Sequence, residues 1–136
     1  MGYKKNYNSL LPDDFVLSEE FESIVEQIEN TKDHFYITGK AGSGKSTLLA
    51  YFRSVTKKNT AVLAPTGVAA IRVKGQTIHS FFGFPPKVIQ TRHIKKVRQI
   101  ELLQNLETLI IDEISMVRAD VFDAIDYSLR VHRKKL

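Results

Sequence analysis

The stretch "GKAGSGKST", Gly39–Thr47, decides how the rest of the chain is read. Residues 39–46 match the pattern G-x-x-x-x-G-K-[ST] in full. A short apolar run precedes them ("HFYIT", 34–38), and an amphipathic stretch with Leu48, Leu49, Phe52 and Val55 on one face follows. Strand, glycine loop and helix in that order make a phosphate cradle. Glycines let the backbone turn tightly, so successive N–H groups point into one concavity, and the helix adds its positive N-terminal end. The candidate nucleotide-binding residues are therefore Gly39, Ala41, Gly42, Ser43, Gly44, Lys45, Ser46 and Thr47. Lys45 supplies a mobile cation to the β- and γ-phosphates, and the Ser46 hydroxyl is a ligand for Mg²⁺.

A nucleotide loop needs a carboxylate partner, and "LIIDEIS" (109–115) offers one. An apolar strand ending in Asp112 delivers its side chain to the C-terminal edge of a sheet, where ligands of open α/β sheets bind. Asp112 is the second Mg²⁺ residue, acting mostly through water, and Glu113 is the general base that polarises the attacking water. On its own, "DE" after apolar residues reads equally well as a strand end meeting solvent. Downstream of a complete phosphate loop it points to ATP hydrolysis, since kinases and many switch GTPases need no carboxylate there.

Outward from these two motifs the chain alternates. Ser18 is an N-cap with Glu19 and Glu20 behind it, and Phe21, Ile24, Val25 and Ile28 share one face of a helix over 19–29. A helix follows Lys45 to about Thr56. "TAVLA" (60–64) reads as a strand ended by Pro65, "GVAAI" (67–71) as a short helix, and "GFPPK" (83–87) as a turn. Val97, Ile100, Leu103 and Leu106 predict a helix over 94–105. "ETLIID" (107–112) is a third strand, and Val121, Phe122, Ile125 and Leu129 mark a closing helix. Strands alternating with helices predict an α/β layer fold with a mostly parallel sheet. Residues 1–17 read as a loose lead-in.

The 136 residues are about one domain's worth, with 43% hydrophobic and 26% charged residues. No run reaches the roughly 20 apolar residues of a membrane span, and the N-terminus lacks the apolar core of a secretory signal. With no cysteine, disulfides and thiolate metal sites are excluded. The formal net charge of +5 favours polyanionic partners. The basic runs "RHIKKVR" (92–98) and "RVHRKK" (130–135) read first as solvated faces, the former also as a candidate DNA contact.

Between the phosphate motifs lie "APTGVAAI" (64–71) and "GQTIHSFFGF" (75–84). The loop "GKAGSGKST", then "APTGVAA", "TIHSFF" and "LIIDEISMV", in that order and spacing, resembles the Pif-family DNA helicases of superfamily I, on the RecD-like branch. The resemblance covers roughly residues 31–133. It implies a P-loop NTPase (RecA-like) fold, a three-layer parallel sheet with helices on both faces. It also implies a motor that uses ATP and Mg²⁺ to move 5′-to-3′ on single-stranded DNA or at a forked duplex, in DNA repair or telomere maintenance. Residues 18–136 would be part of the first motor domain. In this family "APTG" touches the DNA backbone, so Thr66 would bond a phosphate and Gly67 would allow close approach. Thr77, His79 and Ser80 suit phosphate contacts, and Phe81 or Phe82 could stack on a base, an interaction worth about 1–3 kcal/mol. Phe81, Phe82 and Phe84 are so close together that one or two belong to the core, and His79 reads as either an interior or a DNA-facing residue.

Two departures from the family pattern matter. "LSEEF" places Phe21 where such helicases usually carry the glutamine that reads adenine. The sequence also stops before the family's third motif and second motor domain. The missing domain holds the arginine finger, worth about 10³–10⁵ in rate in related NTPases. The expectation is weak Mg-ATP binding and slow hydrolysis by this chain alone. The strand expected after the closing helix would pair with both the "HFYIT" and "LIID" strands, and without it self-association is expected. A stand-alone ATP and single-stranded-DNA binding module is the alternative. Localisation is expected to be cytoplasmic for a bacterial source, nuclear or mitochondrial for a eukaryotic one.

Overall fold

Helix α1 (Glu19–Asn30) starts where a side-chain oxygen replaces a missing turn. Ser18 is extended (φ −85°, ψ 154°), and its hydroxyl accepts the Phe21 N–H at 3.2 Å. Glu19, Glu20 and Glu22 occupy the first turn, where the helix dipole favours negative charge. The computed structural model describes residues 7–40, 42, 44–95, 97 and 100–133. They divide into two compact units, Met1–Lys58 and Asn59–Leu136.

In the first unit α1 is followed by α2 (Lys45–Val55), with Val25, Leu48, Ala50 and Phe52 buried. The C-terminal ends of the two helices are tied together by polar contacts. The Glu29 carboxylate accepts from the Thr56 hydroxyl at 2.6 Å and the Lys57 amide at 2.9 Å. Lys58 Nζ donates to the Ile28 and Thr31 carbonyls, each at 2.7 Å. In the lead-in, the Phe15 and Tyr51 ring centroids are 5.6 Å apart, and the Arg53 guanidinium lies 3.9 Å from the centre of the Tyr7 ring.

The strand expected at 34–38 is not formed. Residues 31–40 adopt neither helix nor strand, and Phe35, Tyr36 and Ile37 are 41%, 75% and 42% exposed. A strand is a pairing state, and among the described residues nothing pairs with this run; an apolar stretch without a ladder has no reason to hold β geometry. Val55, expected on the apolar face of α2, is also exposed.

The second unit is built on three parallel strands in the order β2-β1-β3: β1 (Thr60–Ala64), β2 (Gln76–Thr77) and β3 (Thr108–Ile111). Val62 stands beside Ile110 on one side of β1, and Ala64 beside Thr77 on the other. Alternation along β1 sends neighbouring side chains to opposite faces. Ala64 packs with Ala69 and Ala70 of α3 (Gly67–Arg72). Leu63 joins the larger core with Ile78 and Phe82 of α4 (Ile78–Phe82), Leu103 of α5 (Ile100–Asn105), and Val121, Ala124 and Ile125 of α6 (Ala119–Arg133). The result is an α/β arrangement with helices on both faces of a small parallel sheet. The turn into β2 needs glycine: a Cβ on Gly75 would fall 2.3 Å from the Val62 carbonyl oxygen. β3 stands at one edge of this sheet.

Three further expectations change. The helix read over 94–105 is confined to Ile100–Asn105, with a 3-10 turn at Thr91–His93 and no helix at 94, 95 or 97. The Val97 amide donates instead to His132 Nε2 at 3.1 Å, a tertiary bond that replaces a helical one. His132, read as part of a solvated basic end, is 3% exposed; its Nδ1 lies 2.7 Å from the Ser128 carbonyl, which fixes the proton on that nitrogen and leaves Nε2 as acceptor. Its neighbour Arg133 caps the C-terminal end of α5 by donating to the Leu103 and Leu106 carbonyls. Phe122, expected on the apolar face of α6, points outward at 52% exposure.

Candidate functional site

The phosphate loop lies in the first unit. Ala41 and Ser43 fall outside the described residues. Gly42 and Gly44 both have positive φ (81° and 91°), the left-handed backbone that turns amide groups inward, and Gly44 is the N-cap of α2. Lys45, Ser46 and Thr47 follow as the first three residues of that helix, so the hydroxyls sit at its positive end. Lys45 Nζ donates to the Gly39 carbonyl, which folds the cation back over the loop it belongs to. Gly39, Lys45 and Ser46 are exposed, and a Cβ on Gly42 would meet nothing within 4 Å. The described loop residues on either side of the lysine are thus open to solvent. Phe21, which stands where a base-reading glutamine was expected, presses its ring on Gly44: Cζ lies 3.1 Å from the place of a Cβ. Its role in this unit is to back the loop.

In the second unit three strand ends deliver the remaining candidates to one edge, because all three strands run the same way. After β3, the Asp112 amide donates to the Leu63 carbonyl at 2.9 Å, which continues the ladder and fixes where the carboxylate leaves the sheet. Glu113 then adopts φ 55°, ψ 46°, a left-handed conformation that costs an L-residue roughly 1–2 kcal/mol. It is exposed, and it begins the 3-10 turn Ile114–Met116. Asp112 and Thr77 lie on opposite sides of the end of β1, about 10 Å apart by two inter-strand spacings.

Thr66 and Thr77 are helix N-caps. Thr66 Oγ1 accepts the Ala69 N–H and Thr77 Oγ1 the Ser80 N–H, both at 3.2 Å. A hydroxyl that accepts in this way keeps its own hydrogen, so each threonine can hold its helix and still donate to a phosphate oxygen. Gly67 has no packing reason to be glycine: a Cβ there would meet nothing within 4 Å, and its φ lies outside the left-handed region. Phe82 and Phe84 are core residues with stacked rings 5.1 Å apart. Phe81 sets its ring edgewise against Phe82 at 4.9 Å and is half-buried, so part of its face remains in solvent.

His79 is half-buried, with its ring edge-on to Phe84. It lines an open cleft of about 320 Å³ together with Pro65, Ile78 and Pro86 on one side and Met116, Val117, Arg118 and Val121 on the other. The loop beside the cleft, residues 85–95, carries Lys87, Arg92, His93 and Lys95 and no acidic residue. Partial desolvation, then the charges of Lys87 and Arg92, hold His93 below the ordinary histidine value. Lys96 and Arg98, the other cations of that basic run, lie outside the described residues. Arg118 and Asp120 escaped the sequence reading. They form an ion pair at 3.1 Å, and Asp120 also accepts the Ile89 amide at 2.9 Å. The available signal was "RAD" at the start of α6, where an acidic residue reads simply as a dipole partner.

Known proteins share this arrangement. Residues 16–135 match the model of the PIF1-like helicase family. The chain is 42% identical over 128 residues to the ATP-dependent DNA helicase PIF1 of Saccharomyces cerevisiae, covering 87% of this chain and 15% of that protein. The human ATP-dependent DNA helicase PIF1 is 36% identical over 126 residues, covering 88% and 19%. Among solved structures, a double mutant of the Pif1 helicase from Bacteroides superposes with TM-score 0.82 at 43% identity over 90% of this chain and 30% of that one. Bacteroides Pif1 in complex with ADP-AlF3 and single-stranded DNA gives 0.79 at 46% identity, over 88% and 29%. The chain thus spans less than a third of each of these relatives. A family match over residues 16–135, from before the N-cap of α1 past the end of α6, with relatives 36–46% identical over most of the chain, leaves one conclusion: this chain belongs to the PIF1-like helicase family.

Proposed function

We propose that the chain is the nucleotide-binding part of an ATP-dependent DNA helicase that moves 5′-to-3′ along single-stranded DNA, with residues 18–136 forming part of its first RecA-like motor domain. The observation that carries this reading is the common edge where three parallel strands end, at Thr66 and Gly67, at Thr77, and at Asp112 and Glu113. Donors for a phosphodiester backbone and carboxylates for hydrolysis share one rigid platform there, as coupling of DNA to ATP requires.

In this reading Lys45 and the amides of the loop hold the β- and γ-phosphates, and Glu113 accepts a proton from the attacking water. Mg²⁺ would neutralise charge on the phosphates. Ser46 and Asp112 are the residues that would hold it, the one offering a hydroxyl at a helix start and the other a carboxylate at a strand end. Mg²⁺ characteristically takes one or two such protein oxygens and completes its shell with phosphate and water. Thr66, Thr77 and His79 bind DNA phosphates, Gly67 lets the strand approach, and the exposed part of Phe81 meets a base. Forked DNA is a partner in the complete motor. Self-association through β3, an edge strand among the described residues, belongs to the same reading, and light scattering tests it. Among the described residues no helix is long and apolar enough to cross a membrane. We place the work in the cytoplasm of a bacterial source, or in the nucleus or mitochondria of a eukaryotic one.

The test is binding of a fluorescent Mg-ATP analogue and of a labelled thymidine oligonucleotide, with Lys45→Ala as control. Loss of nucleotide binding in Lys45→Ala, with oligonucleotide binding retained, is the expected pattern. Nucleotide binding that survives Lys45→Ala would remove the phosphate loop from the site.

A further inference from the structure

The cleft beside His79 has two walls of different origin. One is the segment Pro85–Gln90, which follows α4 and contributes Pro86. The other is the stretch Met116–Arg118, three to five residues beyond Glu113. Nothing in the chemistry of phosphate binding requires these walls to be connected, yet a compact set of bonds joins them. Asp120 Oδ1 accepts from Arg118 Nε at 3.1 Å, and Oδ2 accepts from an Arg118 terminal nitrogen at 3.2 Å, a two-pronged pair with fixed geometry. The same Asp120 Oδ2 accepts the Ile89 amide at 2.9 Å, and Arg118 reaches the Lys87 carbonyl at 3.5 Å. One carboxylate thus holds both walls. Ile89 and Phe84, both buried in the core, keep the first wall from drifting as a loose loop.

The second wall continues without a break to Glu113. The Met116 amide donates to the Glu113 carbonyl and the Val117 amide to the Ile114 carbonyl, both at 3.0 Å, and the Phe122 amide donates to the Arg118 carbonyl at 3.0 Å. A shift of the Arg118 end is therefore felt at a residue already held in a strained left-handed conformation, which persists only while its surroundings hold it there. The cleft suits single-stranded DNA by charge and by shape. The loop 85–95 carries Lys87, Arg92 and Lys95 and no acidic residue, and the cleft itself is faced by two prolines, a methionine and valines that can cover an unstacked base.

We propose that Arg118 and Asp120 are a positioning pair, which transmits occupation of the cleft by single-stranded DNA to the backbone of Glu113. Neither residue need touch the nucleotide. Their work is to keep the spacing of the two walls, so that a base entering between Pro86 and Met116 tightens the turn 114–117 instead of splaying the loop. The pair rests on the single-stranded-DNA reading given above and adds to it a route from the DNA to the hydrolytic carboxylate.

Hydrogen exchange of the whole chain, with and without a thymidine oligonucleotide, tests this. Asp120→Asn is the informative change, because it keeps an acceptor for the Ile89 amide and removes the charge that holds Arg118. In the unaltered chain the oligonucleotide slows exchange of the Met116 and Val117 amides about fivefold or more, the lower end of ordinary site-to-site coupling. In Asp120→Asn the oligonucleotide still binds, and the slowing at those amides disappears, while protection of β1 is unchanged. A merely structural role would lower protection with or without DNA and leave the ligand-dependent difference intact, and that outcome overturns the proposal. Where Asp120→Asn loses protection of β1 as well, Arg118→Lys, which keeps a cation at the cleft and breaks the two-pronged pair, takes its place and is read the same way. Failure of the unaltered chain to bind the oligonucleotide would dismiss the DNA reading itself, and the pair with it. Binding that leaves exchange at 116 and 117 untouched would dismiss the pair alone.

Discussion

Replacing Glu113 by glycine should remove the proposed hydrolytic group and at the same time make the fold more stable. Glu113 has φ 55° and ψ 46°, a conformation in which Cβ crowds the following carbonyl. Relief of that crowding is worth roughly 1–2 kcal/mol, and the extra freedom of glycine in the unfolded chain takes back roughly 0.5–1 kcal/mol. The side chain adds little to the balance, since it is exposed and does not cap the turn it begins. Glu113→Gly should therefore exceed Glu113→Ala in stability by about 0.5–1 kcal/mol, because alanine keeps the strain and lacks only the carboxylate. Urea unfolding followed by far-ultraviolet circular dichroism measures the difference. With a slope of about 1–3 kcal/mol per molar, the midpoint should rise by roughly 0.2–1 M. Both variants should lose ATP hydrolysis to the same degree. A glycine variant no more stable than the alanine variant would refute the claim that the carboxylate is delivered at a cost in backbone strain.

Gly67→Ala should leave stability unchanged or slightly raised, since the new Cβ meets nothing and a helix start gains a better helix former, yet it should weaken oligonucleotide binding. Equal binding by the two proteins would show that the DNA backbone does not approach this residue. Gly75→Ala should do the opposite, because a Cβ 2.3 Å from the Val62 carbonyl oxygen forces β1 and β2 apart, at an overpacking cost of about 1–3 kcal/mol or more; a shift in the urea midpoint reads it. The pH dependence follows from two carboxylates. Burial pushes the Glu29 carboxyl up, but bonds from the Thr56 hydroxyl and the Lys57 amide and the charges of Lys58 and Lys57 outweigh it, leaving it below 4.5. The Ile89 amide, and after it Arg118, hold Asp120 below 3.8 against partial desolvation. A depressed carboxyl stabilises the fold at neutral pH and loses that contribution as pH falls through its folded-state value, so the urea midpoint should drop below about pH 4. Thr56→Val should make that drop shallower, and an unchanged acid profile would deny Glu29 its part.

Local and chemical signals were legible in the sequence. Ser18 caps α1 through the hydroxyl that its residue type suggested, and the glycines of the loop have the left-handed backbone that phosphate binding calls for. β1, α3 and β3 fall within a residue of where alternation of apolar and polar stretches placed them. Such features depend on neighbours a few residues away, which any reader of the chain can see. What was not legible depends on partners far along it. Nothing in the basic run "RVHRKK" (130–135) shows that the imidazole of His132 will be buried to receive the Val97 amide, thirty-five residues earlier. Nothing in "IIDEIS" shows that Glu113 will turn left-handed.

The stretch 34–38 carries the same lesson in its sharpest form. Its apolar character is that of a buried strand, and its place before a phosphate loop makes the assignment natural. Hydrophobicity, however, specifies only that a segment prefers to leave water; the hydrogen bonds that make it a strand must come from another segment. β1 and β3 have each other, in register from Thr60 opposite Thr108 to Leu63 opposite Ile111, and both are strands. Residues 34–38 have no such neighbour among those described, and Tyr36 stays three-quarters exposed. The glycine loop nevertheless keeps its positive-φ turns and its helix, because these rest on local geometry and on the Phe21 ring behind Gly44. Loop geometry and strand order before it are thus separable properties, since the turns at Gly42 and Gly44 form without a β ladder over 34–38.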